Sequence, residues 1–499
     1  MSKKIETRSL LFYIFLVVYS ASLLFISYKI NIWEDESYSI HTTSNDLPTV
    51  IKQAYYFEGQ PPFYFVLLAL WRHLNSGLFF ARLLSVGLIG LSALFFFRTV
   101  RLISGIGTYR WMLIVFLLNP FTVWAALEIR LYALAIFLST ISMYYFLRYF
   151  IEGNRKYLYL FLVSSLIGLY TQYFFVFEII ALAFSMLIFK GWRPFFVLCL
   201  YLIPVIILFI PNLFFLSGEV KMIQVGETAF AGLFTVLHSP QSLVLGLQII
   251  PVNIWISRAA KSIIVLLTVY AYYKLYKKHT KTSNDYFTPI SLIILTTAVI
   301  FLQYLIVIPS LKLGFQSRYM AIALPMFGLT FTLFKVFEVV PRNIIFGGLA
   351  IYYLVILILI YKTPLKRYDF QSASNFINKV EYPKEPVLLY TKLLLPPFSL
   401  YYTGSNPLIS LPMYKYDENY YEDNISDTLA FRKAIENISS PTRSFLLITG
   451  DIEKYKYEIN MNQEMIDECL KANYKVTLDT SFAGNTKKYD LRLRRIEIK

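Results

Sequence analysis

Three consecutive acids, Glu34, Asp35 and Glu36, follow directly on an apolar run from Leu10 to Ile30. Each charge at the middle of a bilayer costs ~2.5–3.5 kcal/mol or more, so these acids must lie where the first span meets water. Neighbouring carboxylates raise one another's proton affinity, which favours a general base. We therefore predict that Asp35 is a general base acting on a lipid-borne substrate. The alternative is a solvated acidic turn at the positive end of a helix.

Charged residues at the ends of later apolar runs are further candidates. Glu128 and Arg130 are two residues apart and do not share a helical face, so they are expected to contact different partners where the backbone breaks. Arg318 offers a planar fork that matches a phosphate, and Lys312 is a weaker candidate nearby. The alternatives are an acid–base pair that fixes a turn and an arginine that extends to lipid head groups.

A polar stretch with a proline pair follows the acids. Glu58 is a candidate second acid or metal ligand, the alternative being a solvated loop residue. The prolines of Gln60-Pro61-Pro62 predict the start of a helix. The preceding segment, 44–58, has apolar residues at helical spacing and is predicted to form an amphipathic helix in the membrane interface.

Composition places the chain among polytopic membrane proteins. Apolar residues make up 57% of 499 residues, mean hydropathy is +0.54, and the excess comes in blocks of about 20 residues, enough to cross hydrocarbon. The net charge of +16 lies mainly in short loops, where the positive-inside rule explains it without nucleic-acid binding. Cys199 and Cys469 lie in different regions and exclude a disulfide framework. The first apolar run lacks a cleavage site and is predicted to be retained.

Lysine and arginine counts orient the chain with its N-terminus in the cytoplasm. Two short or broken segments, 61–75 and 238–256, are expected not to cross, although the sequence does not settle this. About eleven spans are predicted, at residues 9–30, 79–97, 111–127, 131–150, 157–171, 173–189, 194–216, 259–276, 287–309, 319–338 and 343–361.

The predicted fold is an α-helical polytopic membrane protein with a small C-terminal extracytoplasmic α/β domain. The transmembrane catalytic domain covers 1–361, its first outer loop covers 31–78, and the soluble domain covers 362–499. Strands of that domain are predicted from apolar or alternating runs, at 386–390, 444–449, 474–478 and 489–498. This topology gathers the candidate polar residues on the outer face.

The order and spacing of these motifs resemble the GT-C superfamily of integral-membrane glycosyltransferases. The most similar branch contains protein O-mannosyltransferases and the lipid A aminoarabinose transferase (glycosyltransferase family 39-like). The resemblance covers the whole membrane portion. It is carried by Trp33–Tyr38, Gln60–Tyr64, Arg82, Asn119–Pro120, Glu128–Tyr132, Gln172–Tyr173 and Ser317–Tyr319.

The resemblance implies a sugar donor linked to polyprenyl phosphate and a lipid, glycan or protein acceptor outside the cell membrane. It implies Asp35 as the catalytic base with Glu36 as its companion, and Arg318 and Arg130 as ligands of the donor phosphate. Tyr132, Gln172 and Tyr173 are further candidate site residues.

Two departures from the family pattern concern metal binding. Gln60 and Gln172 stand where many relatives have histidine. Either change removes a possible metal ligand, so no metal ligand is predicted. No cofactor is predicted, and the sequence leaves a role for a divalent metal open.

The rival prediction is a transporter or lipid flippase with an outer-face acidic relay. It requires charged residues deep in several spans and two-fold hydropathy symmetry, whereas the polar residues here collect at one face. A membrane scaffold that presents the outer domain is a third possibility. The transferase prediction requires Asp35 and Arg318 to line one chamber, and it leaves the sugar and the acceptor open.

Overall fold

The structure is a computed structural model that describes most of the chain. Its described residues are 2–104, 109–225, 236–237, 240, 242–243, 254–281, 287–311, 315–412, 414–415, 420–421, 425, 427–437, 444–450, 461 and 463–498.

The chain divides into two compact units. The first, called here the membrane unit, comprises Met1–Tyr28 and Asn45–Lys362. The second, the C-terminal unit, comprises Lys29–Ser44 and Thr363–Lys499. The acid-bearing segment is therefore early in the sequence but belongs to the later unit.

Helices dominate the first 361 residues. One of them, α2 (Glu34–Thr42), belongs to the C-terminal unit. The others are α1 (Ser2–Lys29), α3 (Leu47–Tyr56), α4 (Phe63–Arg72), α5 (Leu78–Ser104), α6 (Tyr109–Leu118), α7 (Pro120–Ala126), α8 (Tyr132–Glu152), α9 (Arg155–Leu169), α10 (Phe175–Lys190), α11 (Trp192–Val225), α12 (Ile254–Lys281), α13 (Phe287–Ser310), the 3₁₀ helix Ser317–Ile322, α14 (Ala323–Thr330), the 3₁₀ helix Phe331–Val336 and α15 (Val339–Tyr361).

Many of these elements are long and apolar enough to cross a membrane. Within the described residues there are seven such helices, or eight if the pair α6 and α7, bent by 61°, counts as one span. Helices α9 and α10 have 15 and 16 residues and are not among these helices. The number of about eleven spans therefore stays a prediction.

The structure describes one of the two segments that were expected not to cross the membrane, 61–75, and only a few residues of the other. The first contains α4, whose 10 residues extend ~15 Å, half the ~30 Å hydrocarbon thickness. Most of the second, 238–256, lies outside the described residues. The predicted amphipathic helix is present as α3, which begins at Leu47.

Close aromatic packing holds the membrane unit together. The rings of Phe96 and Phe116 stack with centroids 4.3 Å apart, and a Cβ at Gly328 would lie 3.1 Å from Phe96 Cε2. Helix α8 ends at Gly153 in the left-handed conformation, φ 69°, which glycine adopts without strain. Asn154 then begins α9 by accepting a hydrogen bond from the Lys156 amide.

The C-terminal unit contains a five-stranded mixed sheet in the order β2-β1-β5-β7-β6. Strands β2, β1 and β5 are parallel, and β7 and β6 are antiparallel to their neighbours. The α/β prediction is confirmed. Its elements are α16 (Phe370–Val380), β1 (Val387–Tyr390), α17 (Leu395–Ser399), β2 (Leu408–Leu411), β3 (Tyr414–Lys415), β4 (Tyr420–Tyr421), α18 (Thr428–Asn437), β5 (Ser444–Gly450), α19 (Gln463–Asn473), β6 (Tyr474–Phe482) and β7 (Leu491–Ile498), with short 3₁₀ turns at Lys392–Leu394 and Lys487–Tyr489.

Both faces of this sheet are covered. One core includes Phe370 and Phe398 from α16 and α17, and the other includes Phe431 and Leu470 from α18 and α19. Covered faces explain why β1 and β5 are continuous apolar runs rather than alternating ones. The result is a three-layer α/β/α arrangement.

Candidate functional site

The three acids occupy the first turn of α2, as the helix-start alternative predicted. There the backbone amides and the helix dipole favour negative charge. Glu34 and Glu36 are buried, at 7% and 0% exposure, whereas Asp35 is partly exposed. Asp35 is thus the most accessible of the three carboxylates.

Two basic residues that follow the last span neutralise the flanking acids. Lys366 Nζ lies 2.6 Å from a carboxylate oxygen of Glu36, and Arg367 Nη1 lies 3.0 Å from one of Glu34. Each neighbour of Asp35 is therefore balanced by a cation. Acid–acid repulsion is weaker than the sequence alone indicated, and accessibility is the stronger argument for Asp35.

Backbone contacts fix the position of α2 within the C-terminal unit. The side-chain oxygen of Asn31 accepts from the Lys366 amide at 2.7 Å, and its side-chain nitrogen donates to the carbonyl of Tyr368. The Ile32 amide donates to the Tyr401 hydroxyl at 2.8 Å. The segment that carries the acids is therefore held at both its backbone and its side chains.

Sequence reasoning did not identify Lys366, Arg367 or Tyr401. The adjacent bases were visible just after the last apolar block. Their partners lie at the opposite end of the sequence, and no local pattern joins the two regions.

In the membrane unit, Arg130 forms a buried ion pair with Glu58. Arg130 Nη1 lies 2.5 Å from Glu58 Oε2, and the two side chains are 8% and 2% exposed. The predicted backbone break is confirmed, since α7 ends at Ala126 and α8 begins at Tyr132. In this break, the Glu128 carbonyl accepts from the Ser85 hydroxyl at 2.6 Å.

Arg318 lies beside an aromatic ring. Its Cζ is 6.0 Å from the ring centroid of Tyr132, at the outer limit for a cation–π contact. Tyr132 is 2% exposed and packs against Trp124 at 5.0 Å. The ring and the short 3₁₀ helix that begins at Ser317 position the guanidinium.

The residue after Arg318 is held by two hydrogen bonds. The Tyr319 carbonyl accepts from Gln172 Nε2 at 3.2 Å and from the Tyr304 hydroxyl at 2.7 Å. Gln172 lies in a tight turn after α9, where its amide donates to the Gly168 carbonyl. A Cβ at Gly168 would lie 2.5 Å from the Phe175 ring, so this turn requires glycine. Tyr304 was not identified from sequence.

Several predicted site residues therefore meet in the membrane unit. The contacts Glu58–Arg130, Tyr132–Arg318 and Gln172–Tyr319 join segments that are distant in sequence. Tyr173 instead packs near Phe209, with ring centroids 6.4 Å apart.

Three of the predicted site residues stand apart from these contacts. Lys312 lies outside the described residues. Asp35 and Glu36 belong to the C-terminal unit, and their roles stay predictions.

In the described part of the chain, no group of three histidines, cysteines or acids could hold a metal ion. The chemistry available in the membrane unit is that of guanidinium groups beside buried aromatic rings. Such groups bind planar phosphate oxyanions through charge-assisted hydrogen bonds.

Comparison with known proteins adds evidence on the fold. The sequence matches no protein-family model and no curated protein. The structure is similar along nearly its whole length to ArnT from Cupriavidus metallidurans. For the apo crystal structure, the TM-score is 0.57 at 12% identity, covering 99% of this chain and 98% of that chain. For the structure bound to undecaprenyl phosphate, the TM-score is 0.55 at 12% identity, covering 97% of each chain.

ArnT is the lipid A aminoarabinose transferase and has the GT-C fold. The apolar helices and the likeness to ArnT make this chain an integral membrane protein. Its fold is similar to that of ArnT, which agrees with the GT-C fold that the resemblance in sequence predicted.

Proposed function

We propose that the protein is a membrane glycosyltransferase that moves a sugar from a polyprenyl-phosphate donor to an acceptor on the extracytoplasmic face. The observation that carries the proposal is the end-to-end structural likeness to ArnT. One of the ArnT structures contains undecaprenyl phosphate, which supports this class of donor. A likeness over the whole chain also favours a transferase over a transporter or flippase.

Arg318 and Arg130 are proposed to hold the donor phosphate. A guanidinium carries five N–H donors in a rigid fork. The ion pair with Glu58 fixes the orientation of Arg130 through one nitrogen. The hydrogen bonds to the Tyr319 carbonyl fix the backbone next to Arg318. Preorganised cations of this kind stabilise a leaving group that gains charge in the transition state.

Asp35 is proposed to act as the general base. The acceptor hydroxyl oxygen attacks the anomeric carbon and forms the new glycosidic bond. The bond from that carbon to the phosphate oxygen breaks, and the polyprenyl phosphate leaves with the electron pair. Asp35 takes the hydroxyl proton. Its exposure relative to Glu34 and Glu36 supports this assignment.

Glu36 is proposed to position α2. Its carboxylate is fully buried and paired with Lys366, so it supports the first turn of the helix in which Asp35 lies. This role agrees with the resemblance in sequence, which implies that Glu36 is the companion of the catalytic base Asp35.

The proposed orientation has the N-terminus in the cytoplasm and residues 362–499 outside. Basic residues in the predicted cytoplasmic loops support it. A cysteine replacing exposed Gln371, in a chain whose native cysteines are serines, should react with a membrane-impermeant maleimide in intact cells. A cysteine replacing exposed Arg193 should not react, and the reverse pattern would refute the orientation.

The function is tested by incubating membranes that contain the protein with labelled polyprenyl-phosphate sugars and cell-envelope acceptors. We expect one donor to label the acceptor fraction, and Arg318→Gln to lower this labelling about a hundredfold. Arg148→Gln is the matched control, since Arg148 pairs with Glu152 on its own helix. Labelling by no donor in the panel, or equal labelling with Arg318→Gln, would contradict the proposal.

A further inference from the structure

A long cavity lies in the membrane unit between α1, α6 and α15. Its volume is 1180 Å³, above the ~300–1,000 Å³ of small-molecule sites. On α15 its wall runs from Val339 to Lys362, a length of about 35 Å at 1.5 Å per residue. Because this is close to the ~30 Å hydrocarbon thickness of both leaflets together, the half of the cavity next to either end is long enough for the acyl chains of one lipid.

Two arginines lie at the same end of this cavity. The Trp111 side chain lies beside Gly347, 3.8 Å from a Cβ built there, and Asn119 donates to the Tyr353 hydroxyl at 3.3 Å. Helices α6 and α15 therefore run parallel, and their first turns, which contain Arg110 and Arg342, lie together. Both arginines line the cavity.

Helix α1, the third wall of the cavity, also reaches the end that contains the two arginines. The Arg110 Cζ lies 5.8 Å from the ring centroid of Phe12 on α1. Apolar side chains such as Leu11, Val18 and Leu354 line the length of the cavity. The walls thus combine a cationic end with a long apolar surface.

An unsatisfied polar atom indicates that this end of the cavity receives a polar ligand group. Arg342 Nε is buried without a hydrogen-bond partner among the described residues, and Arg342 lines the cavity. A buried donor without a partner costs ~1–3 kcal/mol. The described lining contains no aspartate or glutamate, so Arg110 and Arg342 give this end of the cavity a charge that favours an anion, whereas Lys362 lies at the other end of α15.

This cationic end lies apart from Arg318. The apolar segment Ser317–Val336 is a candidate span of 20 residues, with Arg318 near its start. Helix α15 begins at Val339, just after the end of that segment. Arg318 and Arg342 are therefore at opposite ends of the bundle, and the cavity offers an anion site separate from the proposed donor phosphate site.

We propose that this cavity binds one anionic phospholipid of the bilayer. Arg110 and Arg342 contact its phosphate, and its acyl chains lie along α1 and α15. Charge complementarity at the arginine end commits the site to an anionic head group, and the apolar walls that continue from that end commit it to a lipid of the adjacent leaflet.

The test measures which lipid the protein retains. Purified full-length protein is reconstituted with phosphatidylglycerol and phosphatidylcholine in equal amounts, and the retained lipids are measured by native mass spectrometry. We expect selective retention of phosphatidylglycerol, reduced about tenfold or more in Arg110→Gln/Arg342→Gln. Arg101→Gln is the control, because Arg101 lies on α5 near Phe97, outside the cavity lining.

A second variant keeps both arginines and fills the cavity. Ser22 is an exposed lining residue of α1, so Ser22→Trp reduces space without changing charge and should also lower retention. If gel filtration shows that the double variant does not fold, lipid retention by Ser22→Trp tests the proposal instead. Equal retention of the two lipids by the wild type, or wild-type retention by the filled variant, would overturn the proposal. Displacement of phosphatidylglycerol by equimolar polyprenyl phosphate would overturn the assigned occupant.

Discussion

The Glu36 carboxylate and the Lys366 ammonium form an ion pair at 2.6 Å, with side chains 0% and 4% exposed. One residue lies in the first turn of α2, and the other follows the last apolar helix. Breaking a buried pair at one partner leaves an uncompensated charge and typically costs ~3–5 kcal/mol. This pair therefore couples the position of Asp35 to the fold of the C-terminal unit.

Lys366→Met is expected to destabilise this unit by about 3–5 kcal/mol. Hydrogen exchange of residues 29–44, measured by mass spectrometry, should become faster. Glu36→Gln/Lys366→Met should restore most of the protection because it removes both charges. Exposed Lys379→Met is the matched control, and unchanged exchange in Lys366→Met would show that the pair does not hold the segment.

The hydrogen bonds to the Tyr319 carbonyl predict a positioning role for Tyr304. Tyr304→Phe removes one of two donors, and a net hydrogen bond contributes ~0.5–1.5 kcal/mol. We expect the donor KM to rise by about twofold to tenfold, and Gln172→Ala/Tyr304→Phe to raise it further. Tyr352→Phe is the control, since the Tyr352 hydroxyl has no hydrogen-bond partner among the described residues. An unchanged KM in the double variant would exclude this role.

Variants of the Glu58–Arg130 pair distinguish an effect on protein stability from an effect on sugar transfer. Glu58→Gln should destabilise the protein by about 3–5 kcal/mol, because it leaves the Arg130 charge buried. Glu58→Gln/Arg130→Met should regain thermal stability but lose sugar transfer about a hundredfold. Transfer that recovers together with stability would mean that Arg130 is structural and does not bind the phosphate.

The β6–β7 hairpin should respond to acid. Hydrogen bonds from the Arg492 guanidinium, at 2.9 and 2.6 Å, lower the pKa of Asp479 below its ordinary value. The unfolded value is ~3.9, so this stabilisation is present above about pH 5 and is lost as the pH falls through the lowered pKa.

Asp479 is 40% exposed, so its contribution is below about 1 kcal/mol. Asp479→Asn should speed hydrogen exchange in β6 and β7 near pH 7. Wild type and variant should become equal once the pH is below the folded pKa of Asp479. A difference that persists in strong acid would assign the effect to packing.

Local sequence patterns predicted helices and strands correctly where burial alone determines the type of secondary structure. The apolar runs of β1 and β5 have both faces covered and were predicted as strands. Strand β2, Leu408–Leu411, was missed because it is four residues long between Pro407 and Pro412. The acids at the start of α2 and the break after Glu128 were also evident, since they depend on neighbours in sequence.

The partners of the site residues were not predictable in the same way. The pairs Glu58–Arg130 and Glu36–Lys366 join residues far apart in sequence, and such pairing depends on packing that no local pattern encodes. Tyr304 lies in an apolar run, so the sequence does not distinguish it from other residues of a membrane span. Its hydroxyl donates to a backbone carbonyl, a contact that leaves no sequence pattern. Sequence identified the charged groups but not the contacts that orient them.

The most direct test is the rate of sugar transfer by Asp35→Asn with the donor identified from the panel. We expect normal expression and folding with transfer lowered by about 10²–10⁴-fold, the usual contribution of a positioned base. Asp46→Asn is the matched control, because Asp46 is exposed and its side chain makes no cap hydrogen bond to α3. Wild-type transfer by Asp35→Asn would contradict the assignment of Asp35 as the base.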